Sequence, residues 1–348
     1  MSGRVYLDWN ASAPLRTEAR DAMLAAMDVA GNPSSVHAEG RAAKGLVETA
    51  RAQVAEAIGA TNADVVFTSG ATEAAALALS GRDLCSADVE HDAVMAWTRG
   101  DLAVDGLGRI SVDDPTASCV QLANAETGVI QDLPARLAVT DATQAFGKIP
   151  VAIDWLGCDM ALVSAHKLGG PHGVGALIVK PGIDVVARSK GGGQEMGRRS
   201  GTENLAGIAG FGAAAQAAAR DLANGVWTEV AVLRDMLEEA VLAEIPGCTI
   251  FGASAKRLPN TSYFSTPGWK GETQVMAMDL AGFAVSAGSA CTSGKVKASR
   301  VLRAMGFDEA TSACAIRISL GPTTTRQEVL QFVDALARAH NRYRAKAA

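Results

Sequence analysis

Ser164-Ala165-His166-Lys167-Leu168-Gly169-Gly170 is the stretch on which the fold turns. The apolar run 160–163 before it reads as a buried strand, and Lys167 follows almost at once. Lysine is rarely buried without a partner or a task. A desolvated lysine has a lowered pKa and can form a Schiff base with a carbonyl. The glycines after Lys167 leave room for a flat group. A surface lysine in a strand-to-loop turn is the plainer alternative.

Outward from this strand the pattern repeats. Residues 64–68, 119–123, 138–140 and 176–179 are further short apolar runs, and 17–30 and 38–59 carry helical spacing. Strands alternating with helices predict an α/β fold with a mostly parallel sheet flanked by helices. The sheet pattern stops near residue 185. A Gly-rich loop (191–204) and helices at 205–221 and 226–244 follow, and Pro246-Gly247 punctuates the chain. Strand-like 249–251, 261–265 and 315–320 then mix with helical 271–281, 298–305 and 325–344, which predicts a smaller α+β domain. The expected division is a large domain over 15–245, and a small one from 1–14 and 246–348.

Three strand ends besides Lys167 carry candidate chemistry. In Asp141-Ala142-Thr143-Gln144, the carboxylate suits a cofactor's pyridine nitrogen and Gln144 a ring oxygen, although Asp141 would equally cap a helix. Thr68-Ser69-Gly70-Ala71-Thr72-Glu73 joins a strand to a helix whose N-terminus suits an anion; a simple capping box is the alternative. His91, in Val89-Glu90-His91-Asp92, is placed to stack on a ring or shuttle a proton. Far along the chain, Ser286-Ala287-Gly288-Ser289-Ala290-Cys291-Thr292-Ser293-Gly294 puts a thiol in a polar loop. Lys295, Lys297 and Arg300 follow, and nearby cations favour a thiolate. The other cysteines (Cys85, Cys119, Cys158, Cys248 and Cys314) read as small buried apolar residues.

Composition excludes several classes. The 348 residues are 48% hydrophobic and 20% charged with net charge −5, which suits a globular protein and not a nucleic-acid binder. No stretch has membrane length and no secretory signal opens the chain, so a cytoplasmic location is expected. The five histidines show no metal-binding spacing.

Taken together in this order, these segments resemble the cysteine desulfurases of aminotransferase class V. The resemblance runs from Tyr6-Leu7-Asp8-Trp9-Asn10-Ala11 and Gly31-Asn32-Pro33-Ser34-Ser35-Val36-His37 to Arg199-Ser200-Gly201-Thr202 and Arg317-Ile318-Ser319-Leu320-Gly321. It implies the fold-type I transferase architecture and pyridoxal 5'-phosphate as cofactor. By the same resemblance Lys167 would bind the cofactor covalently, Asp141 would pair with its nitrogen and Gln144 with its ring hydroxyl, and His91 would stack on the ring. Ala71, Thr72, Ser164 and His166 would hold the phosphate, with Thr202 arriving from a second subunit of a homodimer. Arg317 and Asn32 would bind the substrate, L-cysteine. Cys291 would accept its sulfur as a persulfide and pass it to an acceptor or an iron–sulfur scaffold protein. The loop around Cys291 looks like that of the long-loop group, which supplies iron–sulfur assembly. A selenocysteine lyase, another class V enzyme, and a catalytically weak partner protein are the alternatives.

Two departures stand out. The family's paired asparagines read Asn124-Ala125 here, and on a strand neighbours face opposite ways, so Asn124 cannot replace the second of them. A changed cofactor environment at the ring oxygen is expected. The segment 131–141 is also too short for the usual crossover helix, and 99–118 looks condensed.

Overall fold

The structure, a computed structural model, describes residues 3–288 and 298–347. Five strands form the central sheet: β1 (Asp64–Thr68), β2 (Cys119–Gln121), β3 (Val139–Asp141), β4 (Met160–Ser164) and β5 (Gly175–Val179). Their spatial order is β1-β5-β4-β3-β2. β2, β3 and β4 pair parallel, while β5 runs against both β4 and β1. Four strands therefore share a direction and β5 opposes them, which is the mostly parallel sheet expected. Every residue of β4 and β5 is buried, which is why both read as unbroken apolar runs.

Alternation along the strands divides the core in two. Val65, Phe67, Ala161, Val163, Ala176 and Ile178 face one side. There they meet α1 (Thr17–Met27), α2 (Ala38–Ala57) and, further along the chain, α4 (Leu205–Ala223). Val66, Met160, Leu162, Leu177 and Val179 face the other, against α3 (Ala71–Leu79). The two-residue period of a strand produces this split. α4 is built of small residues because it lies close against α2. A Cβ on Gly212 would sit 2.8 Å from Ala50 Cα, so this glycine's helix-propensity cost of about 1 kcal/mol is offset by packing that no larger residue permits.

A second core gathers Leu7, Trp227, Leu237, Phe264, Ile316 and Phe332. It joins α5 (Val226–Glu244), α6 (Gly271–Leu280) and α7 (Arg326–Ala347) to an antiparallel sheet. That sheet is β6 (Thr249–Ile250), β7 (Thr261–Ser265) and β8 (Ala315–Ser319), in the order β8-β7-β6. Val5–Tyr6 pairs with Phe283–Ala284, so the amino-terminal segment belongs with this second core. α5 buries Trp227, Val230, Leu237 and Val241 there too. The change of core thus falls at Gly225, whereas 245 was the expected boundary; the two differ by the length of α5.

No helix lies between β2 and β3, as the short segment requires. The connection instead crosses to the second unit. Ile130 N donates to Lys256 O at 2.8 Å, and Leu258 N to Gly128 O at 2.7 Å.

Candidate active site

Register brings the candidate residues together. Thr68 at the end of β1 and Ser164 at the end of β4 both pair with Gly175. Asp141 ends β3 between Gln121 and Leu162. Gly175 has to be glycine, because a Cβ there would meet Gly70 Cα at 2.8 Å. The loops leaving β1, β3 and β4 consequently open into one cavity of about 490 Å³. It lies at the carboxyl ends of the parallel strands, where open α/β sheets bind ligands.

At its base, Lys167 ends a single helical turn, Ala165–Lys167. Its Nζ donates to Asn10 O at 2.7 Å and Ala11 O at 2.9 Å. Gln144 Nε2 also donates to Asn10 O, at 3.0 Å. Asp141 Oδ1 accepts the N–H of Thr143 at 2.9 Å, which closes the turn and fixes the carboxylate at the strand end.

The anion end is built on α3. No side chain caps this helix. Glu73, the residue that could crowd an anion, is held away by Ser69 N and by Arg199 Nε at 2.7 Å. Its first N–H groups are therefore available to a ligand phosphate. Ser164, His166, His172 and Thr72 line the same end. Ser12 Oγ lies 2.9 Å from His172 Nε2 and 3.3 Å from His166 Nδ1, and the two imidazoles stack at 5.2 Å.

Burial, then the Lys167 ammonium, pushes the pKa of His166 down to about 4. At neutral pH it is thus an uncharged hydrogen-bonding group. The sign for stability follows. The unfolded chain protonates this histidine near pH 6.5 and the folded chain resists until about 4, so stability falls as pH drops through that window. The urea midpoint of the cofactor-free protein should decline between these values, and His166→Gln should flatten the decline. An equal decline in the variant would refute the assignment.

At the far side, Arg317 on β8 donates Nη2 to Asp8 Oδ1 at 2.8 Å and Nη1 to Ala125 O at 3.1 Å. Ser286 Oγ in turn holds Asp8 Oδ2 at 2.8 Å. Arg317 Nε is buried without a partner among the described residues. A planar cation fixed on one edge with donors left over is suited to a carboxylate. His91 starts a short helix with Nδ1 accepting from Ala93 N at 3.1 Å, and its ring lines the cavity. Two buried carboxyls also line it, Glu90 and Glu126, and desolvation raises both pKa values.

Asn124 and Ala125 lie in a turn, not on a strand, which corrects the expected reason for their inequivalence. Asn124 Oδ1 is engaged by the N–H groups of Glu126 at 2.9 Å and Thr127 at 2.8 Å. Ala125 lines the cavity and offers no polar side chain.

Lys167, Asp141, Gln144, His91, Ala71 and Thr72 thus meet in one cavity, with Ser164, His166 and Arg317. Two expected residues do not. Asn32 is exposed and away from the cavity lining, with Oδ1 accepting from Ser34 N at 2.9 Å. Thr202 lines a smaller cleft that shares only Ser69 and Gly173 with the cavity. Cys291 lies outside the described residues. Asn10, Lys148 and His172 were missed as site residues. Lys148 had a visible signal, since it stands four residues after Gln144 among apolar neighbours.

A flat, phosphate-bearing pyridine fits this donor set. An uncapped helix end and a neutral histidine suit the phosphate, a fixed carboxylate the ring nitrogen, and a lysine amine the carbonyl.

The aminotransferase class-V family model matches residues 5–332. A cysteine desulfurase of Cereibacter sphaeroides is 39% identical, over 96% of this chain and 95% of its own length. An IscS-like cysteine desulfurase of Mycobacterium tuberculosis is 34% identical, over 97% of each. Among solved structures, a NifS-like protein from Rickettsia africae superposes with a TM-score of 0.88 at 31% identity, covering 97% of this chain and 99% of that one.

Proposed function

Because the chain belongs to the aminotransferase class-V family, and within it to the cysteine desulfurases, we propose that it takes sulfur from L-cysteine and releases L-alanine. The observation that carries this reading is the meeting of Lys167, Asp141, His91, the α3 terminus and Arg317 in one cavity. Pyridoxal phosphate, when bound, supplies a protonated ring that withdraws electrons from the substrate Cα. The chain's own residues do the rest. Asp141 would keep the proton on the ring nitrogen, His91 would lie beside the ring, and Ala71, Thr72, Ser164 and His166 would hold the phosphate. Arg317 orients the substrate carboxylate. Lys167 would hold the cofactor through its amine and would serve as the general base at the substrate Cα.

Cys291 then acts as nucleophile. Its thiolate attacks the substrate sulfur, a sulfur–sulfur bond forms, and the substrate carbon–sulfur bond breaks with its electron pair going to carbon. Gly288 on one side of this segment, and Arg300 and Val301 on the other, line the cavity, which supports Cys291 as the sulfur acceptor.

The protein works as a homodimer in this reading, with Thr202 serving a second copy's phosphate site. The exposed position of Thr202, in a cleft adjoining the cavity, supports this. The persulfide passes to a sulfur acceptor or iron–sulfur scaffold protein in the cytoplasm. No described helix is long and apolar enough to cross a membrane, and the described residues contain no cluster that could hold a metal ion.

The test is alanine and sulfide formation from L-cysteine with a reductant. Cys291→Ala should lose sulfide release by about 10²-fold or more while keeping the cofactor's yellow band. Sulfide release that survives in this variant would point to a lyase of the selenocysteine type. A purified chain that stays colourless with added pyridoxal phosphate would point to a non-catalytic partner protein.

A further inference from the structure

Lys148 has no part in the roles above, yet it is 2% exposed beneath the cavity. Among the described residues its hydrogen bonds go to amide oxygens and none to a carboxylate. Burial, then the cations Lys167 and Arg317, holds its pKa well below the usual lysine range. A methionine would fill the same volume without that cost, so the amine must be needed for something specific.

Its contacts say what. Nζ donates to Gln144 Oε1 at 2.7 Å and to Asn10 Oδ1 at 3.2 Å. Both partners are amides, and in both it engages the oxygen. On its other side Gln144 faces Asn10 O, an acceptor, across 3.0 Å. Turning the Gln144 amide over would set its NH₂ against the Lys148 donor and its oxygen against the Asn10 carbonyl. The oxygen–carbonyl contact would become repulsive, and Nζ, already donating to Asn10 Oδ1, would lose its shorter acceptor. Lys148 and Asn10 O therefore leave the amide a single orientation. One N–H of Nε2 goes to Asn10 O, and the second remains for a ligand in the cavity that Gln144 lines. Asn10 is fixed in the same way, with Nδ2 donating to Thr261 Oγ1 at 2.8 Å and to Ala125 O at 3.2 Å.

We propose that Lys148 is a positioning residue that locks the Gln144 amide as a hydrogen-bond donor toward the ring hydroxyl of the bound cofactor. The proposal rests on the pyridoxal-phosphate reading of the cavity. A locked donor stabilises the ionised form of that oxygen. A free amide would present either end.

The experiment measures the dissociation constant of pyridoxal phosphate added back to cofactor-free protein, and the pH midpoint of the yellow band of the loaded enzyme. Lys148→Met should weaken binding about 10-fold and move the midpoint, as expected for one lost or misdirected hydrogen bond. Lys148→Gln, whose own NH₂ can hold Gln144 Oε1, should recover most of both. Gln144→Leu should match Lys148→Met, and the double variant should be no worse than Gln144→Leu alone, since the two act through one contact.

The proposal fails if Lys148→Met binds within twofold of wild type, or if the two effects multiply. It fails equally if Lys148→Gln is as impaired as Gln144→Leu, a comparison that still decides should Lys148→Met not fold. A wild-type protein that takes up no pyridoxal phosphate would instead defeat the cofactor reading itself.

Discussion

Lys167→Ala is expected to lower alanine formation from L-cysteine by about 10⁴-fold, the upper range for removing a general base. The loss should be larger than for other single changes because Lys167 has two tasks, attachment and proton removal. The yellow band should vanish. Cofactor should still be retained on gel filtration, because the α3 terminus, Asp141 and His166 remain. Stability should change little, because water at the cavity wall can replace the Lys167 amine as donor to the Asn10 and Ala11 carbonyls. Turnover within tenfold of wild type would exclude Lys167 as the base.

Arg317→Ala is expected to lower kcat/KM for L-cysteine by about 10²- to 10⁴-fold, chiefly through KM. Two charge-assisted hydrogen bonds to a carboxylate are at stake, at about 1.5–3 kcal/mol each. The structure adds a complication that makes the test sharper. Arg317 also pairs with Asp8, whose side chain is 16% exposed, so the single variant strands a carboxylate and should lower the melting temperature. Asp8→Ala combined with Arg317→Ala should restore much of the melting temperature and none of the KM. If KM recovers along with stability, Arg317 is structural and the substrate carboxylate binds elsewhere.

Much of this site was legible because its chemistry sits at strand ends. Apolar runs mark the strands, and Asp141, Ser164 and Lys167 stand directly at or after their ends, where β-pairing register brings them together. That helices cover the sheet was legible for the same reason, since unbroken apolar runs mark strands buried on both faces. What escaped depends on contacts distant in sequence. Asn10 shows no strand-end or helix-end signal, and its importance comes from Thr261, Ser319 and Lys167, which only the fold brings near. The boundary at 245 followed the Pro-Gly punctuation, but α5 goes where its Trp227–Val241 stripe finds a partner, and that partner is the second core. Asn32 was named through the family resemblance alone, and in the fold its Oδ1 accepts from Ser34 N.

The helix-free connection between β2 and β3 has a consequence for how the chain folds. Neighbouring parallel strands are normally joined by a helix that forms early from local contacts and carries the second strand to the first. Here a short turn takes the helix's place, with Gln131 N donating to Leu122 O and Asn124 N to Val129 O, both at 2.9 Å. The tip of that turn is also pinned to residues 256–258; these contacts span well over a hundred positions, and their loop-closure entropy is met only when the second unit is in place. The edge of the sheet that bears Asp141 should therefore assemble late. Residues 1–225 made alone should protect β2 and β3 from hydrogen exchange less than the rest of the large core, and the carboxylate meant for the cofactor's nitrogen becomes rigidly held only after most of the polypeptide has been made.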